Sequence, residues 1–432
     1  MTKQLLRQAL AGLAVLLLAG CGQQKPALPA ATEQPAQIFF ATDLHYLSQS
    51  LTDNGPDFQE RMAYGDGKTV QYCEAITETL VEQVLAAQPD ALVLGGDLSF
   101  NGEKQSHIDL AAKLRRIQQG GVPVLLLPGN HDIDVFQAGS FIDGQFTTVE
   151  SVDRKGFYQI YKEFGYQDAI TRDKDSFSYL YPLRSDLWVL VLDVDGAREY
   201  NTVSDSTMAW LEKWLAQARQ QGIGVVSATH HNLLVHNELF TSGFMVKNAD
   251  QVVTLLDRYG VLVNLTGHIH IQHSMERAQG MGEVVTTALV VTPNQYGVVD
   301  YDGQTARYST QELDVAAWAR ATGQTDPNLL AFGAFSQQFF WKIAHRQVMD
   351  VQTGDGVEEG VARQLAAYFA DVNTQYFQGK PITRGRDDPA YLLWQRYCKG
   401  ERTPIYIDTM LQSNGRDQRQ GVFTRTAPTP GP

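Results

Sequence analysis

The chain has 432 residues, 43% of them hydrophobic, with 48 acidic against 35 basic side chains and a formal charge of −13. That length exceeds what one hydrophobic core usually serves, so a large domain with an appended piece is expected. The acidic balance argues against general binding of nucleic-acid duplexes or anionic lipid surfaces, and it suits recruitment of cations.

Lys3 and Arg7 precede an apolar run, residues 9–19, that is too short for a comfortable membrane span. It ends in Leu18-Ala19-Gly20-Cys21, small residues directly before a cysteine. Residues 1–20 therefore read as an export signal. One form is an ordinary secretory peptide cut near Ala19. The closer match resembles the bacterial lipoprotein signal, in which Cys21 carries lipid and anchors the exported protein to a membrane. Residues 21–37, rich in Ala, Pro and Gln, read as a disordered tether. Export makes a Cys73–Cys398 disulfide possible; two separately buried thiols are the alternative.

The strand 38–42 runs into Asp43-Leu44-His45. A polar loop, 48–68, rich in Asp and Gly, is long enough to cover something. A helix over 69–87 stops before Pro89, and the strand 91–94 runs into Gly95-Gly96-Asp97. A helix over 104–118 leads to the strand 122–127, which stops at Pro128-Gly129 and presents Asn130-His131-Asp132. This alternation implies parallel strands with right-handed crossovers. Residues 133–175 are irregular around a helix at 154–164, and 176–181 with 187–192 read as an antiparallel pair. A helix over 205–220 precedes the strand 223–229, which delivers His230-His231. A helix over 249–259 precedes the strand 261–266, which ends in Gly267-His268-Ile269-His270. Segments 284–291, 295–300 and 306–310 read as antiparallel strands closing a second sheet. From about residue 325 the pattern is helical, over 329–349, 357–377 and 389–397, with aromatics at helical spacing. These helices read as a small bundle packed on the main domain and are compatible with a cap over its site. Residues 413–432 read as a flexible tail.

Five strands thus deliver Asp, Asn or His to their C-terminal tips, where open α/β sheets place their ligand crevices. Six of the ten histidines fall in these stretches, which a packing role for them would not predict. Carboxylates that can bridge, imidazoles and a carboxamide form a ligand set for two adjacent divalent transition-metal ions such as Mn, Fe or Zn. Two such ions about 3.5–4 Å apart stabilise the attacking and leaving oxygens of a displacement at phosphorus.

Together the five motifs, in this order, resemble the calcineurin-like metallophosphoesterase superfamily over roughly residues 38–300. The resemblance implies two mixed β-sheets in a sandwich flanked by helices, a metallophosphoesterase domain over 38–315, and an appended helical subdomain over 325–412. It implies one metal held by Asp43, His45, Asp97 and His270, and a second by Asp97, Asn130, His230 and His268. His230 is preferred to His231, although Asn232 replaces the Pro that usually follows one residue later. His131 would protonate the leaving oxygen or bind the phosphoryl group, and Asp132 would orient it through a hydrogen bond. Asn101 either binds a phosphate oxygen near a helix start or only opens that helix. The implied reaction is hydrolysis of an extracytoplasmic phosphoester by metal-bound hydroxide, phosphodiesters of the cyclic-nucleotide kind first. The alternatives are a phosphomonoesterase or nucleotidase, and a surface lipoprotein that binds metal without catalysis. The partners expected are a small phosphoester and, through the lipid, a membrane; the oligomeric state is open.

Overall fold

The computed structural model describes residues 30, 34–398, 402–413 and 415–424. The signal segment, Cys21 and most of the tether lie outside these residues.

In chain order the strands are β1 (Ala36–Ala41), β2 (Ala91–Gly95), β3 (Val124–Leu127), β4 (Gly139–Ile142), β5 (Gln145–Thr148), β6 (Thr171–Arg172), β7 (Tyr179–Arg184) and β8 (Leu187–Val191). They continue as β9 (Gly224–Ala228), β10 (Val263–Thr266), β11 (His273–Met275), β12 (Gly282–Val285), β13 (Gln295–Tyr301), β14 (Thr305–Glu312) and β15 (Gln420–Thr424). The first sheet has the order β15-β14-β13-β1-β2-β3 and the second β11-β12-β10-β9-β8-β7-β6. Both are mixed. β1, β2 and β3 pair in parallel, while β13, β14 and β15 are antiparallel. β8, β9, β10 and β12 are parallel, with antiparallel strands at both edges.

Side-chain alternation builds the layers. Along β8, Leu187, Val189 and Val191 point into the core between the sheets. Trp188 and Leu190 point outward, under Leu211 and Leu215 of the helix Asp205–Gln220 and Val252 and Leu256 of the helix Ala249–Tyr259. The helices Cys73–Ala87 and Lys104–Gln119 cover the first sheet with Ile76, Leu80, Leu110 and Leu114. The architecture is the expected sandwich of two mixed sheets flanked by helices.

Three expectations change. The segment after β12 does not extend the second sheet: β13 and β14 cross to the first, where β13 pairs with β1 from Ala36↔Tyr301 to Phe40↔Gly297. The crossing loop is tied on the way, with Leu289 N donating to Thr42 O at 3.0 Å. Residues 420–424 are an edge strand on β14 rather than part of a tail, with Phe423 buried. The polar stretch 48–68 contains a helix, Pro56–Ala63.

The appended helices include Phe332–Gly354, Glu359–Phe377, Pro389–Tyr397 and Arg402–Gln412. Their core takes in Ile269 and Ile271, so the residues alternating with His268 and His270 sink into this bundle. Cys73 and Cys398 are separate buried thiols. Among the described residues, no helix is long and apolar enough to cross a membrane.

Candidate metal centre

The strand tips converge. Ligand atoms of Asp43, His45, Asp97 and His270 lie within 4.8 Å of one another, as do those of Asp97, His230 and His268. Asp97 belongs to both groups, as a bridging ligand must. Asn130 joins the second, its Oδ1 3.1 Å from His230 Nε2.

The backbone is bent to achieve this. Asp43, His45, Asp97, His268 and His270 all have positive φ, between 40° and 68°. Such angles cost energy for residues with a Cβ and gather at functional sites. After β1, β2 and β10 a left-handed kink thus accompanies the turn of the side chains onto the common point, whereas Asn130 after β3 and His230 after β9 reach it without one. Gly129 is needed for approach: a Cβ there would lie 2.2 Å from Asp97 Oδ1 and 2.8 Å from His230 Nε2.

Hydrogen bonds select which nitrogen His230 and His268 offer. His230 Nδ1 donates to Gly95 O at 2.8 Å, leaving Nε2 toward Asp97. His268 Nε2 donates to Gly243 O at 3.1 Å, leaving Nδ1. Carbonyl partners of this kind orient metal-binding imidazoles. Burial would raise the Asp43 and Asp97 carboxyls, but the histidines around them, His270 and His230 respectively, hold both well below the usual range. They are therefore anionic.

The donor set fits divalent transition metals. His45 is buried with neither ring nitrogen hydrogen-bonded among the described residues, and Asp43 Oδ1 faces His270 Nε2 at 3.2 Å. His45 Nε2 stands 3.7 Å from Asp97 Oδ2, too far for a hydrogen bond and suited to an ion between them. Buried polar atoms left without partners are costly unless something binds them.

His230, not His231, enters the cluster. His231 turns away, its Nδ1 3.2 Å from Asp195 Oδ2. Asp195 was not anticipated, although the run from β8 into Leu192-Asp193-Val194-Asp195 is one more strand delivering acids. Burial pushes its carboxyl up to about 7 against the pull of His230 and His268.

The hydrogen bond expected from Asp132 to His131 is not made. The buried Asp132 carboxylate accepts from Leu98 N (3.0 Å), Gly129 N (2.8 Å), Ser99 N (2.9 Å) and Ser99 Oγ (2.9 Å). Four donors use up its lone pairs and tie the loop after β3 to the loop after β2. His131 is oriented by Asn101 instead, with Nδ1 2.9 Å from Asn101 Oδ1. Asn101 stands ahead of the helix, whose N-cap is Glu103. His131 N also donates to Asp97 Oδ1 at 2.9 Å, and its ring lies 5.0 Å from that of His45. His107 packs, with Nδ1 on Tyr161 Oη and Nε2 on Asp132 O.

Residues 36–272 match the family model for calcineurin-like phosphoesterases, and residues 314–417 match that for the C-terminal domain of cyclic nucleotide phosphodiesterase. No curated protein matches the chain. Similar solved structures include a dimetal phosphatase from Danio rerio, at 11% identity and TM-score 0.47, covering 65% of this chain and 96% of that one. A purple acid phosphatase from yellow lupin has 14% identity and TM-score 0.46, over 66% of this chain and 52% of that one. A 5'-nucleotidase from Candida albicans has 13% identity and TM-score 0.36, over 75% and 59%. With more than half of its length matched by the family model and the motifs of that family gathered at one point, the chain belongs to the calcineurin-like phosphoesterases and is a metal-dependent phosphoric ester hydrolase.

Proposed function

We propose that the protein is a phosphodiesterase acting on cyclic-nucleotide-like diesters outside the cytoplasm, with two divalent transition-metal ions such as Mn, Fe or Zn. One observation carries the substrate class: the phosphoesterase domain is followed in the same chain by a segment matching the C-terminal domain of cyclic nucleotide phosphodiesterase. Asp43, His45, Asp97 and His270 would hold one ion, and Asp97, Asn130, His230 and His268 the other. Bound ions of this kind polarise the phosphoryl oxygen and lower the pKa of water.

The chain's own residues do the rest. Asp97 fixes the spacing of the two groups and receives the His131 amide, so a single carboxylate aligns the metal ligands with the proposed acid. The Asn101 amide oxygen can only accept, so His131 Nδ1 carries its hydrogen there. Nε2 is thereby the nitrogen able to carry a proton to the departing ester oxygen. Asn101 acts through His131 in this reading, and Asp132 keeps Asn130 and His131 in register with Asp97.

The test is turnover of 3',5'- and 2',3'-cyclic nucleotides and of an aryl diester beside the matching monoester, with Mn²⁺ supplied. The reading expects kcat/KM for the diesters to exceed that for the monoester. A preference for the monoester would instead establish a phosphatase or nucleotidase. Export rests on the cysteine signal: Cys21→Ser should release the protein from membranes, and unchanged membrane fractionation would defeat the anchor.

A further inference from the structure

Asn232 follows His230 by two residues, and it closes the base of a strap, residues 232–246. Its N–H donates to Phe244 O at 3.2 Å, and its carbonyl accepts Val246 N at 3.0 Å. Its side-chain Nδ2 donates to Thr266 Oγ1 at 3.1 Å, at the end of β10. A proline at this position would lack both donors. Within the strap lies Gly243, whose carbonyl accepts His268 Nε2 at 3.1 Å. Phe244 packs beside the same imidazole, with ring centroids 5.4 Å apart. A ligand on one strand tip thus takes its orientation from the loop that follows another.

The appended helices hold the outer part of the strap. Asn237 is buried, and its Nδ2 donates to Tyr376 Oη at 3.0 Å and to Thr409 Oγ1 at 3.1 Å. Tyr376 lies on the helix Glu359–Phe377 and Thr409 on the helix Arg402–Gln412. The Phe240 ring lies 5.5 Å from that of Tyr406 and 5.2 Å from that of Phe244. Contacts therefore run from the bundle through Phe240 and Phe244 to His268. Gly243 itself stands in open space: its φ is +85°, and a Cβ on it would meet nothing within 4 Å. Its carbonyl stays on His268 because the residues flanking it are held.

We propose that the appended helices clamp this strap and thereby set the metal affinity of the group Asp97, Asn130, His230 and His268, with Asn237 and Phe240 as positioning residues. This rests on the two-metal reading of the centre. Among the described residues, Asp43, His45 and His270 make no hydrogen bond to the strap, so the other group is not reached this way. Carbonyl partners of metal-binding imidazoles contribute to affinity by fixing the ring before the ion arrives.

The test titrates the metal-free full chain with Mn²⁺ by calorimetry and counts the bound ions by mass spectrometry. Asn237→Ala combined with Phe240→Ala should weaken one of the two binding events by roughly tenfold, the lower end of what loss of such a partner costs, and leave the other unchanged. Asn237→Ala alone should weaken the same event to a smaller degree, and it decides the matter if the double variant does not fold. Trp341→Phe, which removes a 2.8 Å bond to Asp371 inside the bundle, should change neither event. Two unchanged events in the folded Asn237 variant, or equal weakening of both, overturns the clamp. So does a Trp341→Phe variant that weakens the same event as much. A wild type that binds fewer than two ions overturns the two-metal reading beneath it.

Discussion

Asp132→Asn tests how the two central loops are joined. The carboxylate accepts Leu98 N and Gly129 N on one oxygen and Ser99 N and Ser99 Oγ on the other. An asparagine keeps one of these oxygens and sets an NH₂ where the other stood. Whichever way it turns, at least one buried backbone N–H loses its acceptor, and two do if the oxygen stays beside Ser99. An unsatisfied buried donor costs about 1–3 kcal/mol, and the remaining bonds lose their charge assistance. The expected loss is therefore about 2–5 kcal/mol, a large part of the roughly 5–15 kcal/mol that stabilises a typical domain. Urea denaturation of the metal-loaded protein reads it, and metal analysis of the same samples should show weakened binding at the Asn130 position. Stability within about 0.5 kcal/mol of the wild type together with lost turnover would refute this reasoning. Asp132 would then act through His131 after all.

His131→Ala should retain both metals and lose about 10²–10⁴-fold in rate, with a larger loss for nucleoside or alkyl esters than for nitrophenyl esters. Equal losses for the two leaving groups would mean that His131 binds the phosphoryl group and is not the acid. Asp97→Asn should disturb both ions, because one carboxylate serves two groups of ligands; two ions per chain in the purified variant would remove it from that role. Glu103 is buried, and burial raises its carboxyl from 4.5 to about 7. The unfolded chain thus ionises before the folded one, so this group's penalty is absent below about pH 4.5 and complete above about pH 7, at about 3 kcal/mol. Glu103→Gln should flatten that fall in stability, and an unchanged slope between pH 4.5 and 7 would show that Glu103 is not its source.

What could be read from residues alone was whatever repeats locally. The helices over 205–220, 249–259 and 389–397 follow from periodicity, and each metal-binding motif follows a short apolar run that names its strand tip. What escaped depends on distant partners. β13 contains nothing that says it pairs with β1 rather than with β12, because pairing is decided across more than 250 residues. The run Gln420–Thr424 is short and flanked by polar residues, so only the waiting edge of β14 makes it a strand. Asp132 is next to His131 in sequence, but three of its four donors come from Leu98 and Ser99.

The left-handed kinks at Asp43, His45, Asp97, His268 and His270 bear on how this enzyme can be engineered. At about 1–3 kcal/mol for each strained residue, these five positions hold a local reserve of recoverable stability. A selection for heat resistance alone would find glycine or asparagine there rewarding, and would dismantle the catalyst while improving its thermometer reading. Screens for hardier variants should therefore freeze these five codons and score turnover in every round.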